Sequence, residues 1–403
     1  MKNKDKNKLS QSMLFIILFG IVSLFSDMTH EGASSIRGAY LALLGASAGA
    51  IGFVSGLGEL IGYSMRYVFG KLTDKTKLYW PMTILGYVLD IVAVPALALV
   101  GENGWIAACG LLVIQRMGKA IKKPAKDTIM SFAASQEGVG KSFGLQEVLD
   151  QIGAFLGPVL LYVVMLFKTE GSQFEIYSLC FAFLAIPGAI TLILLLVTKH
   201  KFPNPEHFEP EPKEYVPFKL QKNFIFYIAG ISLFAFGFVD YSLIVMHVQA
   251  ENLVSSSTLP LLYAGAMLID AVAALFFGLL YDKIGFKALV WSTLLSAPFA
   301  IFVFMFDSLP LLLVGVLLWG IGMGAQESIL KAAVTTIVPK ASRATGYGVF
   351  ECSFGVFWFL GSWILGVLYD VNITAMVAVS VVAQLAAIPL YLAAVNAKLS
   401  DCR

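Results

Sequence analysis

The sequence predicts an all-α membrane protein in which twelve transmembrane helices form two pseudo-symmetric bundles of six. Three observations carry that expectation. Apolar residues gather into blocks of roughly 20, about the number a helix needs to cross the hydrocarbon core. Basic residues fall almost wholly on one side once those blocks are threaded through a bilayer. Features of the first six blocks recur in the last six.

Composition sets the class. Apolar residues make up 58% of 403 positions and charged residues 13%, about half the charged share of soluble domains. The blocks lie at 12–33, 46–69, 80–100, 105–134, 142–167, 174–198, 223–248, 257–280, 287–306, 309–338, 344–369 and 373–397. With the Lys-rich start MKNKDKNK in the cytoplasm, only Arg37 and Lys168 of the 28 Lys and Arg fall on the outer side. The remaining outer turns carry no base, and two carry Glu102 and Glu251. One miscounted span would invert every later loop, so the pattern supports the count together with cytoplasmic termini in an inner membrane.

The net charge of +2 says nothing about nucleic acid, and no nucleic-acid partner is expected of a chain of this class. Cys109, Cys180, Cys352 and Cys402 show neither paired nor metal-ligand spacing, so no disulfide framework, metal or cofactor is expected. The first block is read as a retained span, because cleavage as a signal peptide would leave eleven spans and discard Asp27 and Glu31.

The connector at 199–222 holds Pro203, Pro205, Pro210, Pro212 and Pro217 amid Lys and Glu, a composition that favours an extended linker. It separates an N-terminal bundle, 1–198, from a C-terminal one, 223–403. The halves resemble each other. Gly70-Lys-Leu-Thr-Asp74-Lys75 after span two recurs as Gly278-Leu-Leu-Tyr-Asp282-Lys283-Ile-Gly285 after span eight. Phe143-Gly144 with Glu147 and Gly157 in span five recurs at nearly the same offset as Tyr347-Gly348 with Glu351 and Gly361 in span eleven. Six is even, so the two copies enter from one side and form parallel repeats.

At these residues the chain resembles the major facilitator superfamily over essentially its whole length. The family's loop between helices two and three, G-x-x-x-D-[R/K]-x-G-[R/K]-[R/K], fits Gly278, Asp282, Lys283, Gly285 and Lys287. The first copy keeps Gly70, Asp74, Lys75 and Lys77 but places Thr76 near the usual glycine. The resemblance implies a gating loop: glycine lets helices two and eleven approach, and the aspartate meets a helix N-terminus. Asp74 is then expected near Arg343 to Thr345, and Asp282 near Lys141 and Ser142. Gly153-Ala-Phe-Leu-Gly157-Pro158 is similar to the G-x-x-x-G-P core of the family's proton-coupled exporters, without the glycine pair that usually follows. Small residues at that spacing serve tight helix packing equally well. Other segments, such as Asp27-Met-Thr-His-Glu-Gly and Gln326-Glu-Ser-Ile, resemble bacterial permeases of the superfamily and bring no substrate with them.

Ionisable groups at bilayer depth cost about 2.5–3.5 kcal/mol each on insertion scales, so each is a pathway candidate. Span one carries Asp27, His30 and Glu31 on one face, span two Glu59, span three Asp90, span five Asp150, span seven Asp240, span eight Asp270, and span ten Glu327 with Lys331. Span four carries a basic stripe of Arg116, Lys119, Lys123 and Lys126, with Lys122 beside it. By the resemblance, helices one, four, seven and ten line a central cavity, and Arg116 stands at the position of the family's arginine motif, with Ala120 where glycine is usual.

Three readings stay open for these charges. They neutralise one another, as Glu327 with Lys331 or Asp150 with Arg116 or Lys119. Or a buried carboxylate carries protons, for which Asp27, Glu31 and Glu59 lead because no cation shares their helix face. Or the span-four stripe recognises an anion, with Arg116 as a bidentate fork. Aromatics crowding spans seven and eleven (Phe234, Phe236, Phe238, Tyr241, Phe354, Phe357, Trp358, Phe359) are expected mostly against lipid or neighbouring helices.

The function expected is a monomeric secondary transporter that moves a small-molecule substrate by alternating access, coupled to protons. No metal-hydrolase motif, phosphate loop or ATP site is present, and the chain is not expected to be an enzyme. The alternative is a lipid or lysolipid flippase on the same scaffold.

Overall fold

The computed structural model describes residues 10–137, 139–168, 170–204, 221–337 and 343–401. Among these residues fifteen α-helices build twelve membrane-length rods: α1 (Gln11–Leu43), α2 (Ala48–Thr76), α3 (Tyr79–Ala96), α4 (Trp105–Glu137), α5 (Val139–Phe167), α6 and α7 (Gln173–Phe183, Ala185–Lys201), α8 and α9 (Lys222–Gly237, Tyr241–Ala250), α10 (Leu259–Ile284), α11 and α12 (Lys287–Ser296, Phe299–Phe304), α13 (Leu309–Ile337), α14 (Arg343–Val371) and α15 (Ile373–Asp401). Ten of the rods are long and apolar enough to cross a membrane. The other two, α2 and α4, are long enough but carry Glu59, Arg66 and Lys71 in one, and Arg116, Lys119, Lys122, Lys123, Lys126 and Asp127 in the other. Of these charges, Lys122 and Lys126 and the Glu59–Arg116 pair mark the polar centre of the molecule.

Three expected single spans are broken. Span six breaks at Leu184, just before Pro187, and span nine at Ala297 and Pro298, where proline lacks the N–H that would continue a helix. Span seven opens at Phe238 to Asp240, and the freed backbone groups are met internally. Ser380 Oγ and Gln384 Nε2 donate to the Gly237 carbonyl at 2.6 and 3.2 Å, and Trp319 Nε1 donates to the Val239 carbonyl at 3.0 Å. Asp240 then caps α9 by accepting from Ser242 N at 2.9 Å. Unwound backbone survives at membrane depth only when satisfied in this way.

The first span ends later than expected. Its hydrophobic run stops at Ala33, yet α1 continues to Leu43 with Ser34, Ser35 and Arg37 buried. Arg37 is therefore part of a helix, not of an outer turn.

The repeats pack alike. A methyl group at Gly157 of α5 would overlap the Met28 carbonyl of α1, and one at Gly361 of α14 would overlap the Phe236 carbonyl of α8. The glycines of the two loop motifs face helices four and ten rather than eleven. A methyl at Gly70 would meet Pro124 of α4 at 3.7 Å, and one at Gly278 would meet Ser328 of α13 at 3.7 Å. The close approach of α2 to α14 rests on other glycines: a methyl at Gly52 would overlap the Ser362 carbonyl, and one at Gly366 would lie 2.5 Å from that of Ala48.

Along this seam the contacts at glycines pass from backbone to side-chain atoms toward the face that holds the chain termini. The nearest opposing atom lies 2.8 Å from a methyl at Gly56, 3.1 Å at Gly355 and 3.8 Å at Gly348. At the opposite, distal face Asp370 of α14 accepts from Ala48 N and Gly49 N at 3.1 and 2.8 Å, capping α2. Gly38 of α1 is pressed so closely on Ser242 of α9 that a methyl there would overlap its carbonyl. The bundle is shut at its distal face, and nearer the termini Arg66 of α2 still pairs with Glu351 of α14 at 3.6 Å.

Candidate functional site

The site is assembled on α1 and α4, which run antiparallel and exchange a ladder of contacts. Lys126 Nζ donates to Ser23 Oγ at 2.5 Å and Lys122 Nζ to Ser26 Oγ at 3.0 Å, while Gln115 Nε2 meets His30 Nδ1. Helix α3 adds Asp90, which accepts from Lys122 at 2.5 Å and from Gln115 Nε2 at 3.0 Å. The Lys122 ammonium also lies 4.0 Å from the centre of the Tyr87 ring. Asp90 is only 1% exposed and Lys122 6%. Such a pair survives burial because both charges are paired and further hydrogen-bonded.

Nearer the distal face, charge ties the halves together. Glu31 of α1 lies 3.6 Å from His30 Nε2 and accepts from the Tyr263 hydroxyl of α10 at 2.5 Å. Arg37 donates to Ser242 Oγ from Nε at 3.1 Å and from Nη2 at 2.9 Å, and stands 3.9 Å from Asp240. Ser55 of α2 joins the same hydroxyl at 3.3 Å. Arg116 pairs with Glu59 of α2 at 2.6 Å. Asp270 accepts from Gln151 of α5 at 3.3 Å, another polar contact between halves.

Several expected roles change with this geometry. Glu59 has a cation after all, supplied by Arg116 from another helix, which also commits one arm of the arginine fork. Asp150 meets neither Arg116 nor Lys119 but accepts from Gln146 on its own helix at 3.5 Å. Lys123 pairs with Asp127 at 3.8 Å with both side chains exposed, 43% and 40%, so it belongs to the surface. Asp27 and Lys119 have no ion pair or hydrogen bond among the described residues, and both are partly accessible.

The loop and packing motifs also find their places. Lys75, Asp282 and Lys283 are exposed, and Asp282 has no ion pair or hydrogen bond among the described residues. Gly285 ends α10 with φ at +61°, and at the equivalent turn after α2 Lys77 takes φ at +55°. Gly153 and Gly157 seat α5 on the backbone of α1, at Leu24 and Met28, while Pro158 is buried inside α5. The side chains of Asp74, Lys141, Glu327, Lys331, Arg343 and Thr345 lie outside the described residues, as do the start MKNKDKNK, most of the linker and Cys402.

Sequence reasoning passed over Arg37, Gln115, Ser242 and Tyr263. Arg37 left a signal, since it stands seven residues after His30 on the same helix face. The others are uncharged polar groups on apolar helices and leave none.

Comparison with known proteins points one way. Residues 9–253 and 225–400 match the family model of the Major Facilitator Superfamily. A Mycobacterium tuberculosis protein is 36% identical over 380 residues, spanning 93% of this chain and 91% of its own length. An MFS-type transporter of Methanocaldococcus jannaschii is 26% identical over 92% of this chain and 91% of its own. Among solved structures, a nucleoside transporter superposes with TM-score 0.72 at 17% identity, covering 96% and 99% of the two chains. A bacterial homologue of the lysosomal transporter Spinster, inward-facing and unoccupied, gives 0.72 at 14% identity over 96% and 97%. A peptide transporter holding sulfate gives 0.74 at 14% identity over 95% and 94%.

Proposed function

The chain belongs to the major facilitator superfamily of secondary transporters, and within that family we propose that it moves a small polar solute across the inner membrane in exchange or symport with protons. In this reading the termini face the cytoplasm, the closed distal face is the outer one, and the protein works as a monomer.

The observation that carries proton coupling is the bond from Tyr263 to Glu31. A carboxylate of one half is held by a hydroxyl of the other, beside His30. Loss of the Glu31 charge on protonation weakens a bond between the halves, so proton loading and the closure of the molecule act on the same atoms. The pair of Glu59 with Arg116 makes it a weaker candidate for this role than Glu31 and Asp27. Most of the polar groups sit on facing sides of α1, α2, α4 and α10, which favours a water-soluble solute, while two polar contacts, Gln151 with Asp270 and Arg66 with Glu351, lie on the seams between the halves and keep the flippase alternative in play.

The test is solute-driven proton flux in liposomes loaded with a pH dye, challenged with pooled metabolites. Glu31→Gln and Asp27→Asn are expected to abolish the flux while eluting as folded protein on size exclusion, and Lys123→Gln to leave it unchanged. Full flux in both carboxylate variants across a pH series would sink the proposal.

A further inference from the structure

The α1–α4 ladder has a gap. Ser23 meets Lys126, Ser26 meets Lys122, and His30 meets Gln115. This antiparallel register brings Asp27 and Lys119 to the same level of the membrane. The two carry opposite charge, yet no ion pair joins them. Their neighbours are engaged: Lys122 with Asp90, Arg116 with Glu59, Arg37 with Asp240 and Ser242, and Glu31 with Tyr263 and His30. All of these contacts but that of Glu31 with His30 span two helices. Asp27 and Lys119 are thus an anion and a cation held apart on facing helices and still accessible, among charges that have already found partners.

From this juxtaposition we infer that the solute is a small zwitterion, with its anionic group seated on Lys119 and its cationic group on Asp27. The inference rests on the transporter reading above and names the class of its substrate. A zwitterion completes two charge-assisted hydrogen bonds at once and leaves no net charge in the site. A solute with a single negative charge would leave Asp27 uncompensated, and one with a single positive charge would leave Lys119 so. Removing one partner of a buried charge pair is far costlier than removing both. The low polarity of the surrounding helices enlarges that difference. The same chemistry is offered by soluble amino-carboxylates and by the ethanolamine phosphate headgroup of a lysolipid.

The experiment measures thermal shift and binding on the full-length protein in detergent. The soluble probes are L-alanine, 4-aminobutyrate and L-alanyl-L-alanine. Ethylamine, propionate, propylamine and butyrate serve as singly charged twins. Lysophosphatidylethanolamine and its uncharged analogue monoacylglycerol form the lipid arm. At least one zwitterion is expected to bind, with its twins weaker by about tenfold or more, roughly 1.4 kcal/mol.

Lys119→Gln and Asp27→Asn are each expected to erase that preference, and Lys119→Arg to keep it. Binding by a soluble probe identifies an aqueous substrate, and binding only by the lysolipid identifies the headgroup. The inference is overturned if no zwitterion in either arm binds. It is overturned equally if a twin binds as tightly, or if Lys119→Gln and Asp27→Asn retain the preference. If Lys119→Gln does not fold, the ranking of twins against zwitterion on the unaltered protein decides alone. A neutral or singly charged solute that drives proton flux would end this inference and leave the transport reading standing. A zwitterion that binds while no solute moves would do the reverse.

Discussion

Among the described residues, the two halves repeat one backbone and differ in the chemistry at their centres. In the first six spans the interior is a lattice of charge, with Asp90, Lys122, Gln115 and His30 buried on three helices and Glu59 with Arg116 beside them. In the last six the equivalent interior is aromatic. Phe238, fully buried, has the rings of Phe234, Phe299, Trp319 and Trp358 between 5.2 and 5.8 Å away. Tyr241 lies 4.9 Å from Trp319 and 4.5 Å from Tyr263. Among the described residues a duplicated scaffold is thus filled differently: charge pairs stand out in the first half and stacked aromatic rings in the second. The contrast is energetic as well. Charge lattices fail abruptly when one member is lost, whereas aromatic clusters lose contacts by degrees.

The largest expected effect follows from the charge lattice. Lys122→Met leaves Asp90 buried without its cation, at a cost of about 3–5 kcal/mol. It is expected to collapse yield and melting temperature in detergent. Adding Asp90→Leu to the same chain removes the orphan charge and is expected to recover most of the lost stability. A single variant as stable as the starting protein would mean that the pair is hydrated, and that the two halves differ less than their side chains indicate.

A smaller effect is expected on the aromatic side. Trp319→Phe keeps most of the ring contact but removes the donor to the Val239 carbonyl at the break in span seven. An unmet buried carbonyl costs about 1–3 kcal/mol. The same melting measurement checks it, and hydrogen exchange is expected to quicken between Gly237 and Ser242. If exchange quickens everywhere alike, the aromatic cluster is not locally anchored as the geometry indicates.

The two interiors were unequally legible in the sequence. Spans and their order follow from hydropathy, because lipid imposes length and apolarity on every rod alike. The break at Phe238 was hidden, since breaking a helix leaves its apolar run intact, whereas those at Leu184 and Ala297 had a sign in Pro187 and Pro298 that hydropathy alone passes over. The end of α1 was hidden for the converse reason: Arg37 reads as a loop residue until Ser242 and Asp240, far along the chain, neutralise it. In the site, the charged residues announced themselves by their cost at membrane depth, but their partners did not. Glu59 lacked a cation on its own helix and found Arg116 on another. Gly70 belonged to a motif associated with helix eleven and packs on helix four. Pairing between helices is a property of register, which one sequence does not display.

The smallest effect separates the repeats at a single turn. Gly285 closes α10 in left-handed backbone, where glycine carries no side-chain penalty, while Lys77 holds the matching place after α2 with φ at +55°. A non-glycine residue there costs about 1–2 kcal/mol. Lys77→Gly relieves that strain but adds freedom to the unfolded chain worth about 0.4–1 kcal/mol, so a gain of about 1 kcal/mol or less in stability is expected. Gly285→Ala introduces strain of about 1–3 kcal/mol at φ +61° and ψ −139°, offset by about 0.4–1 kcal/mol as the unfolded chain loses freedom, and is expected to lower stability by about 1 kcal/mol. The pair is diagnostic because the signs are opposite at equivalent positions of one duplicated unit. Should both substitutions destabilise, the Lys77 side chain must contribute more at that turn than its backbone costs, and the first copy of the loop would be specialised in chemistry, as the interior beneath it is.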